Sequence, residues 1–254
     1  MAEYDTVRRT GANAYMAEID EGLRTHMNKV YGLMSVAMLL TGIVAYIVGT
    51  DLASARAGQD TMLLSTGLLQ TMFTSPVRYI IMFAPLAVVF AFGAGINRMS
   101  ENTARLVFYA FAGLMGLSMS WIFAVFTSMS IATTFFVTAI AFAGLSLWGY
   151  TTKKDISGWG SFLIMGVIGL IVAMLVNLWL QSAAIQFAVS GIGVLIFAGL
   201  TAYDTQKIKT TYLEMAAGGQ TEWLGKAAIM GALNLYLDFI NMFMFLLQLL
   251  GNRN

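Results

Sequence analysis

The sequence predicts an all-α polytopic membrane protein with seven transmembrane helices. Of its 254 residues, 58% are hydrophobic and only 11% are charged, whereas soluble domains contain about 25% charged residues. Seven apolar windows approach the length of about 20 residues that a helix needs to cross a bilayer. These windows are continuous and do not alternate, which favours helices over the strands of a membrane barrel. In chain order they are Val30–Gly49, Tyr79–Ile96, Leu106–Phe126, Ile131–Tyr150, Phe162–Leu180, Ile185–Tyr203 and Ala227–Leu250.

The segment before the first window is polar and carries charges of both signs. It lacks the pattern of a cleavable signal, so the first window is expected to be a retained span. We therefore divide the chain into a cytoplasmic N-terminal segment, residues 1–28, and a transmembrane domain, residues 29–254. The first long connection, residues 50–78, contains an apolar run from Met62 to Phe73 that is too short to span. We expect that run to lie along the membrane interface as an amphipathic helix.

The distribution of lysine and arginine predicts the orientation in the membrane. If the N-terminus is cytoplasmic, 11 of the 14 basic residues fall in cytoplasmic segments and three fall outside. Because cytoplasmic loops are enriched in Lys and Arg, this asymmetry favours a cytoplasmic N-terminus, seven spans and an external C-terminus. Both the end of the sixth window and the loop leading to the seventh are then cytoplasmic.

The last window contains one charged residue, Asp238, within a stripe of polar side chains. Asn234, Asp238, Asn241 and Gln248 are separated by four, three and seven residues, which places them on one helical face. A carboxylate at membrane depth costs about 2.5–3.5 kcal/mol on insertion scales. Such a stripe must face protein or a wet cavity, so we expect the last helix to be central, with other helices around it. The alternative for the amides is a hydrogen-bonding stripe that fixes helix packing.

A second acid, Asp204, follows the sixth window directly. At the membrane edge an acid can simply be solvated, which is the structural alternative to a functional role. If adjacent antiparallel helices bring Asp204 close to Asp238, the two carboxylates would share one proton and titrate as a pair. Asp238 lies about a dozen ångströms into the membrane by helical rise, so the approach requires the sixth span to end deeper than hydropathy suggests.

Several kinds of chemistry are excluded by composition. The chain has no cysteine and one histidine, His26, which excludes thiol catalysis and sites built from thiolate or several imidazole ligands. No phosphate-binding P-loop and no hydrolase motif occurs, and we predict that the protein is not an enzyme and has no resident cofactor. A net charge of +1 gives no field that would attract nucleic acid. Calcium takes six to eight oxygen ligands, so two acids with amide or carbonyl oxygens predict only a weak, transient site at Asp204 and Asp238.

Three stretches of the sequence resemble the transmembrane Bax-inhibitor-motif family, the Bax inhibitor-1-like proteins, in its bacterial form. They are His26 to Tyr31 before the first span, Phe197 to Ile208 with its Tyr-Asp-Thr-Gln core, and Leu235 to Asn241, which reads Leu-Tyr-Leu-Asp-Phe-Ile-Asn. The resemblance covers nearly the whole chain. It implies a last span enclosed by the other six and a pH-sensitive calcium leak gated by an aspartate pair.

On this resemblance, the aspartate pair corresponds to Asp204 and Asp238. It also implies a counter-charge from an arginine at the end of the second span, for which Arg98 is the nearest candidate and Arg105 the alternative. Some family members are linked to restraint of a membrane-bound protease. The basic C-terminal tail of eukaryotic members has no counterpart in the final residues Gly251 to Asn254.

The leading hypothesis is thus a passive, pH-regulated cation leak, calcium being the transported ion, in a bacterial inner membrane. Asp204 and Asp238 would be sensor and gate, and Asn234 and Asn241 would line the path. The competing hypothesis is a non-conducting regulator that binds a membrane-bound protease or another membrane partner. A proton-coupled transporter of a small solute comes third, since no internal repeat is visible.

Overall fold

The structure, a computed structural model, is built from α-helices. It describes the backbone of residues 2–219 and 221–253, and the side chains of these residues from 19 onward except that of residue 221. Seven helices within the described residues are long and apolar enough to cross a membrane, which confirms the predicted fold class and span number. In chain order the helices are α1 (Ala2–Arg56), α2 (Thr66–Thr74), α3 (Val77–Gly95), α4 (Glu101–Met119), α5 (Ser128–Thr151), α6 (Trp159–Leu180), α7 (Ala183–Ala217) and α8 (Leu224–Leu250); all but the short α2 are candidate spans.

Hydroxyl side chains fix where several of these helices begin. Ser100, Thr127 and Ser182 precede α4, α5 and α7 in extended conformation, and each accepts a hydrogen bond from the backbone N–H three residues later. An N-cap of this kind satisfies one of the N–H groups that have no partner in the first turn. α1 runs without interruption through residues 28 and 29, so the predicted division of the chain at that point stays a prediction.

The last helix, α8, has the largest buried share of the seven spans. It packs against α1, α4, α5 and α7, and its Tyr236 and Leu235 are completely buried. Thus α8 is an interior helix with four neighbours. Its enclosure by all six other spans stays a prediction.

The sixth span is longer than hydropathy predicts. The apolar window ends at Tyr203, but α7 continues to Ala217, because residues such as Gln206, Lys207 and Lys209 are good helix formers although they are polar. Asp204 therefore lies within a continuous helix. The depth of Asp204 in the membrane stays a prediction.

α7 and α8 pack as an antiparallel pair with a defined register. Gly193 of α7 lies against Phe245, and Gly231 of α8 lies against Ile208. By this register Asp204 is level with Asn234, one helical turn or about 6 Å along the axis from Asp238. Close packing of two antiparallel helices brings the acids to similar depth.

The segment after α1 is held against the bundle at the far end from Asp204. Asp51, which is 1% exposed, accepts hydrogen bonds from the backbone N–H groups of Met62, Leu63 and Leu64 at 2.7, 2.9 and 2.7 Å. The apolar run expected at the interface contains α2. Its Leu69 is buried against Leu52 and Val48 in a small core of its own, so one face of α2 packs on protein.

Candidate functional site

Asp238 lies in the interior of the bundle. Its side chain is 4% exposed, and its Oδ2 atom is buried with no hydrogen-bond partner among the described residues. A buried polar atom without a partner loses its hydration and gains nothing in return, a cost of about 1–3 kcal/mol that is larger for a charged group. Asp238 is therefore an acid whose surroundings do not satisfy it.

Two effects disfavour a charge on the Asp238 carboxyl: first its desolvation by burial, and second the electrostatic effect of Asp204, the acid that acts on it. Asp204 is half-buried on α7, and the cation whose charge acts on it is Lys207, one turn further along the same helix. The structure thus brings the two predicted acids together and adds a lysine beside them.

The polar stripe of α8 separates into residues with different partners. Asn241 donates through Nδ2 to the Leu237 carbonyl oxygen of its own helix at 2.8 Å. Gln248 accepts a hydrogen bond from the amide of Gln186 and another at 3.0 Å from the Ser190 hydroxyl. Gln248 therefore links α8 to α7. This agrees with the alternative interpretation of the amides, in which they fix helix packing through hydrogen bonds.

Asn234, the fourth member of the stripe, is half-buried. It lines a cavity of about 340 Å³ between the C-terminal end of α7 and the N-terminal end of α8. The Lys207 and Lys226 side chains line the same cavity. The remaining polar wall includes His26 of α1 and Asn97 of the turn after α3. Lys226 is restrained there, because its Nζ donates to the Asn97 carbonyl oxygen at 3.4 Å and lies 4.6 Å from the centre of the Trp223 ring. The cavity reaches to within one turn of Asp238.

The two arginines considered as counter-charge lie outside this cavity. Arg98 is exposed at the end of the 3₁₀ turn that follows α3, and it forms no ion pair within the part of the chain that the structure describes. Arg105 donates to the side-chain oxygen of Asn102 at 2.9 Å. The role of Arg98 as counter-charge stays a prediction.

Two networks of hydroxyl groups lie near the acids, and neither was predicted from the sequence. The Tyr31 hydroxyl is 2.7 Å from that of Ser146, which is 2.8 Å from that of Thr205, so α1, α5 and α7 are joined directly beside Asp204.

The second network joins α1, α4 and α8. The Thr41 hydroxyl is 2.7 Å from the hydroxyl of Tyr236 and donates to the Ala112 carbonyl oxygen at 2.8 Å. These residues belong to apolar windows, and the only signal in the sequence is that a hydroxyl at membrane depth needs an acceptor.

The acids do not form a complete metal site. Within the described residues, no group of three or more His, Asp or Glu side chains is close enough to hold a metal ion. A calcium ion at Asp204 and Asp238 would have to complete its shell of six to eight oxygens with carbonyls, amides or water. Such a site suits a passing ion better than a stored one.

Comparison with known proteins identifies the family of this chain. A family model described as "Inhibitor of apoptosis-promoting Bax1" matches residues 23–254. The chain belongs to this family. The resemblance read from the three short stretches is thereby confirmed over nearly the whole length.

Bacterial relatives match over more than nine tenths of their length. The inner membrane protein YbhL of Escherichia coli strain K12 is 45% identical over 233 residues, which is 91% of this chain and 93% of the relative. The uncharacterized protein RP147 of Rickettsia prowazekii is 44% identical over 234 residues, 92% of each chain. The Lactococcus lactis protein YrjE is 35% identical over 241 residues, 94% of this chain and 95% of the relative. The inner-membrane description of YbhL agrees with the seven apolar helices found for this chain.

Proposed function

We propose that this Bax inhibitor family protein is a passive, pH-regulated cation leak of a bacterial inner membrane, with calcium as the transported ion. In this proposal Asp204 and Asp238 form the sensor and gate. The N-terminus is cytoplasmic and the C-terminus external, as the asymmetry of lysine and arginine indicates. The protein carries out no chemical conversion.

One observation supports the proposal most strongly. Asp238 is buried, and one of its carboxylate oxygens has no hydrogen-bond partner in the part of the chain that the structure describes; Asp204 is the acid that acts on it. A residue with a purely structural role would have its hydrogen bonds satisfied. An unsatisfied carboxylate beside a second carboxylate can instead take up a proton or a cation.

The expected mechanism follows from the charges. When the pair holds one proton, it carries a single negative charge, and α7 and α8 can remain closely packed. When the proton leaves, two like charges remain in a region of low dielectric, where their repulsion is strong. A calcium ion can replace the proton because it neutralises both carboxylates and takes oxygen ligands.

An access path to the pair begins at the cavity lined by Asn234. Through this cavity, water and ions would enter from the cytoplasmic end and reach Asn234, one helical turn from Asp238. Asn241, one turn beyond Asp238, would continue the path along the same face of α8. The titratable groups around the path come from several helices: His26 from α1, Lys207 from α7 and Lys226 from α8.

Flux through reconstituted protein tests the proposal. Purified wild-type protein in liposomes is expected to pass calcium with a rate that changes between about pH 6 and 8, because the pair titrates as a unit. Asp238→Asn removes one of the two carboxylates that share the proton. We therefore expect the pH dependence of the calcium flux to disappear. Asn241→Ala changes a path-lining residue that does not titrate, so we expect it to change the flux and to keep the wild-type pH profile. If Asp238→Asn keeps both the flux and its pH profile, the gate model is wrong.

A second candidate function is a non-conducting membrane regulator that binds a membrane-bound protease or another membrane partner. The observation that favours it is the charge of the cavity, because Lys207 and Lys226 both line its wall. Two ammonium groups at the entrance oppose the arrival of a divalent cation. This function predicts no calcium flux from the pure protein in liposomes and a partner that is recovered with it from native membranes.

A further inference from the structure

A long cleft runs between α1 and α5 on the outer surface of the bundle. It consists of two adjoining cavities of about 760 and 350 Å³, both lined by Tyr31 and Phe142. On α1 the lining extends from Arg24 to Ile47, a distance of about 35 Å by helical rise. The cleft is therefore about as long as the hydrocarbon core of a bilayer is thick.

The chemistry of the cleft changes from one end to the other. At the end near the N-terminus of α1 its wall carries the exposed Arg24 and Asn28, together with Tyr150 of α5. Lys209 lies behind this end, where its Nζ donates to the Tyr150 carbonyl oxygen at 2.9 Å. Beyond Tyr31 the wall is apolar apart from the hydroxyls of Ser35 and Tyr46.

The apolar part of the cleft is open to the membrane. Leu39, Ile43 and Tyr46 of α1 are 65%, 54% and 58% exposed. Gly42 contributes no side chain, and a Cβ atom built there would meet nothing within 4 Å. The missing side chain leaves open space in this wall of the cleft, where an unbranched hydrocarbon chain can lie.

Charge at one end identifies the occupant. Arg24 forms no ion pair with any side chain that the structure describes, and the lysine and arginine asymmetry places it on the cytoplasmic side, where anionic lipid headgroups attract basic residues. We propose that this cleft binds one anionic phospholipid, with its phosphate at Arg24 and one acyl chain between α1 and α5. A free phosphate would not use the apolar wall, and a zwitterionic lipid would gain less from the arginine.

The site also reaches the helix that carries Asp238. Phe239, which follows Asp238 in α8, lies at the inner wall of the cleft. Its ring contacts that of Phe142 of α5, with the ring centroids 5.5 Å apart. The lipid would thus contact α1, α5 and α8 together. Its binding does not depend on ion conduction.

Filling the cleft tests the acyl-chain part of the proposal. Native mass spectrometry of the purified full chain, with added phosphatidylglycerol, measures how much lipid is retained. Ser35→Leu and Gly42→Leu each place a side chain in the cleft, and we expect retention to fall by about tenfold, because each displaced methylene contact contributes to acyl-chain burial. Gly32→Leu is the control: it lies on α1, also has open space around its Cβ, and does not line the cleft.

Removing the charge tests the headgroup part. Arg24→Gln is expected to reduce the preference for phosphatidylglycerol over phosphatidylethanolamine by about fivefold, the effect of one basic residue near an anionic surface. Arg105→Gln, an exposed arginine of α4 on the same predicted side, should keep the wild-type preference. Equal retention by wild type, Ser35→Leu and Gly42→Leu overturns the proposal. An unchanged preference in Arg24→Gln, or displacement of the lipid by millimolar inorganic phosphate, overturns the choice of an anionic lipid.

Discussion

Asp51 and Asp238 are both buried aspartates of membrane helices, and their surroundings are opposite. Asp51 accepts three backbone hydrogen bonds from residues 62–64, so the cost of its burial is offset by partners that would otherwise be unsatisfied themselves. Asp238 has a carboxylate oxygen with no partner among the described residues and a second acid that acts on it. Asp51 therefore stabilises the fold through its hydrogen bonds, whereas the burial of Asp238 is a cost to the stability of the fold.

The largest effect is expected at Asp51. Asp51→Ala leaves the N–H groups of Met62, Leu63 and Leu64 without acceptors, and we expect the free energy of unfolding in detergent to fall by about 3 kcal/mol. Hydrogen exchange at residues 62–64 should accelerate. Asp51→Asn, which keeps one acceptor oxygen, should lose less. Equal stability of Asp51→Ala and wild type would remove the distinction between the two aspartates.

At Asp238 the expected change has the opposite sign. Asp238→Asn removes a buried charge without changing the shape of the side chain, and we expect the free energy of unfolding to rise by about 1–2 kcal/mol. Thermal unfolding in the same detergent measures it, with Asp51→Asn as the matched substitution. A loss of stability comparable to that of Asp51→Ala would mean that Asp238, too, is a structural acid.

A satisfied polar contact near Asp238 gives an intermediate effect. Tyr236→Phe breaks the hydrogen bond with the Thr41 hydroxyl and keeps the ring that packs edge-on against Phe111. We expect a loss of about 1 kcal/mol, the usual net value of one hydrogen bond. Tyr46→Phe, at an exposed position on α1, is the control and should leave the unfolding temperature unchanged.

The smallest effect is expected at Asn241. Within the described residues, its amide donates to no group but the carbonyl oxygen of Leu237 in the same helix, and that oxygen already accepts the helical hydrogen bond. Asn241→Ala should therefore change the free energy of unfolding by no more than about 0.5 kcal/mol. Gln248→Ala, which breaks contacts to Gln186 and Ser190, should cost more in the same thermal-unfolding assay. The reverse order would show that Asn241 has a packing role.

Much of the fold could be predicted from the sequence because hydropathy and helical periodicity are local properties. The seven spans follow from the length of the apolar windows, and the common face of Asn234, Asp238 and Asn241 follows from their spacing. The end of α7 could not be predicted in this way, because hydropathy reports where the chain stops being apolar and not where it stops being helical. The importance of Asp51 was missed because the three N–H groups that it binds lie 11 to 13 residues further along the chain.

The sequence by itself determined the membrane class, the number of membrane-spanning helices, the family, and the two aspartates that the proposed function uses. Composition, window length and short motifs are sufficient for these, since each depends on neighbouring residues. Only the tertiary structure decided that Asp204 acts on Asp238, that one Asp238 carboxylate oxygen has no hydrogen-bond partner among the described residues, and that Gln248 belongs to packing. These facts depend on the register between α7 and α8. That register is set where the Phe245 and Ile208 side chains pack against the backbone of Gly193 and Gly231, contacts that form only when the helices pack.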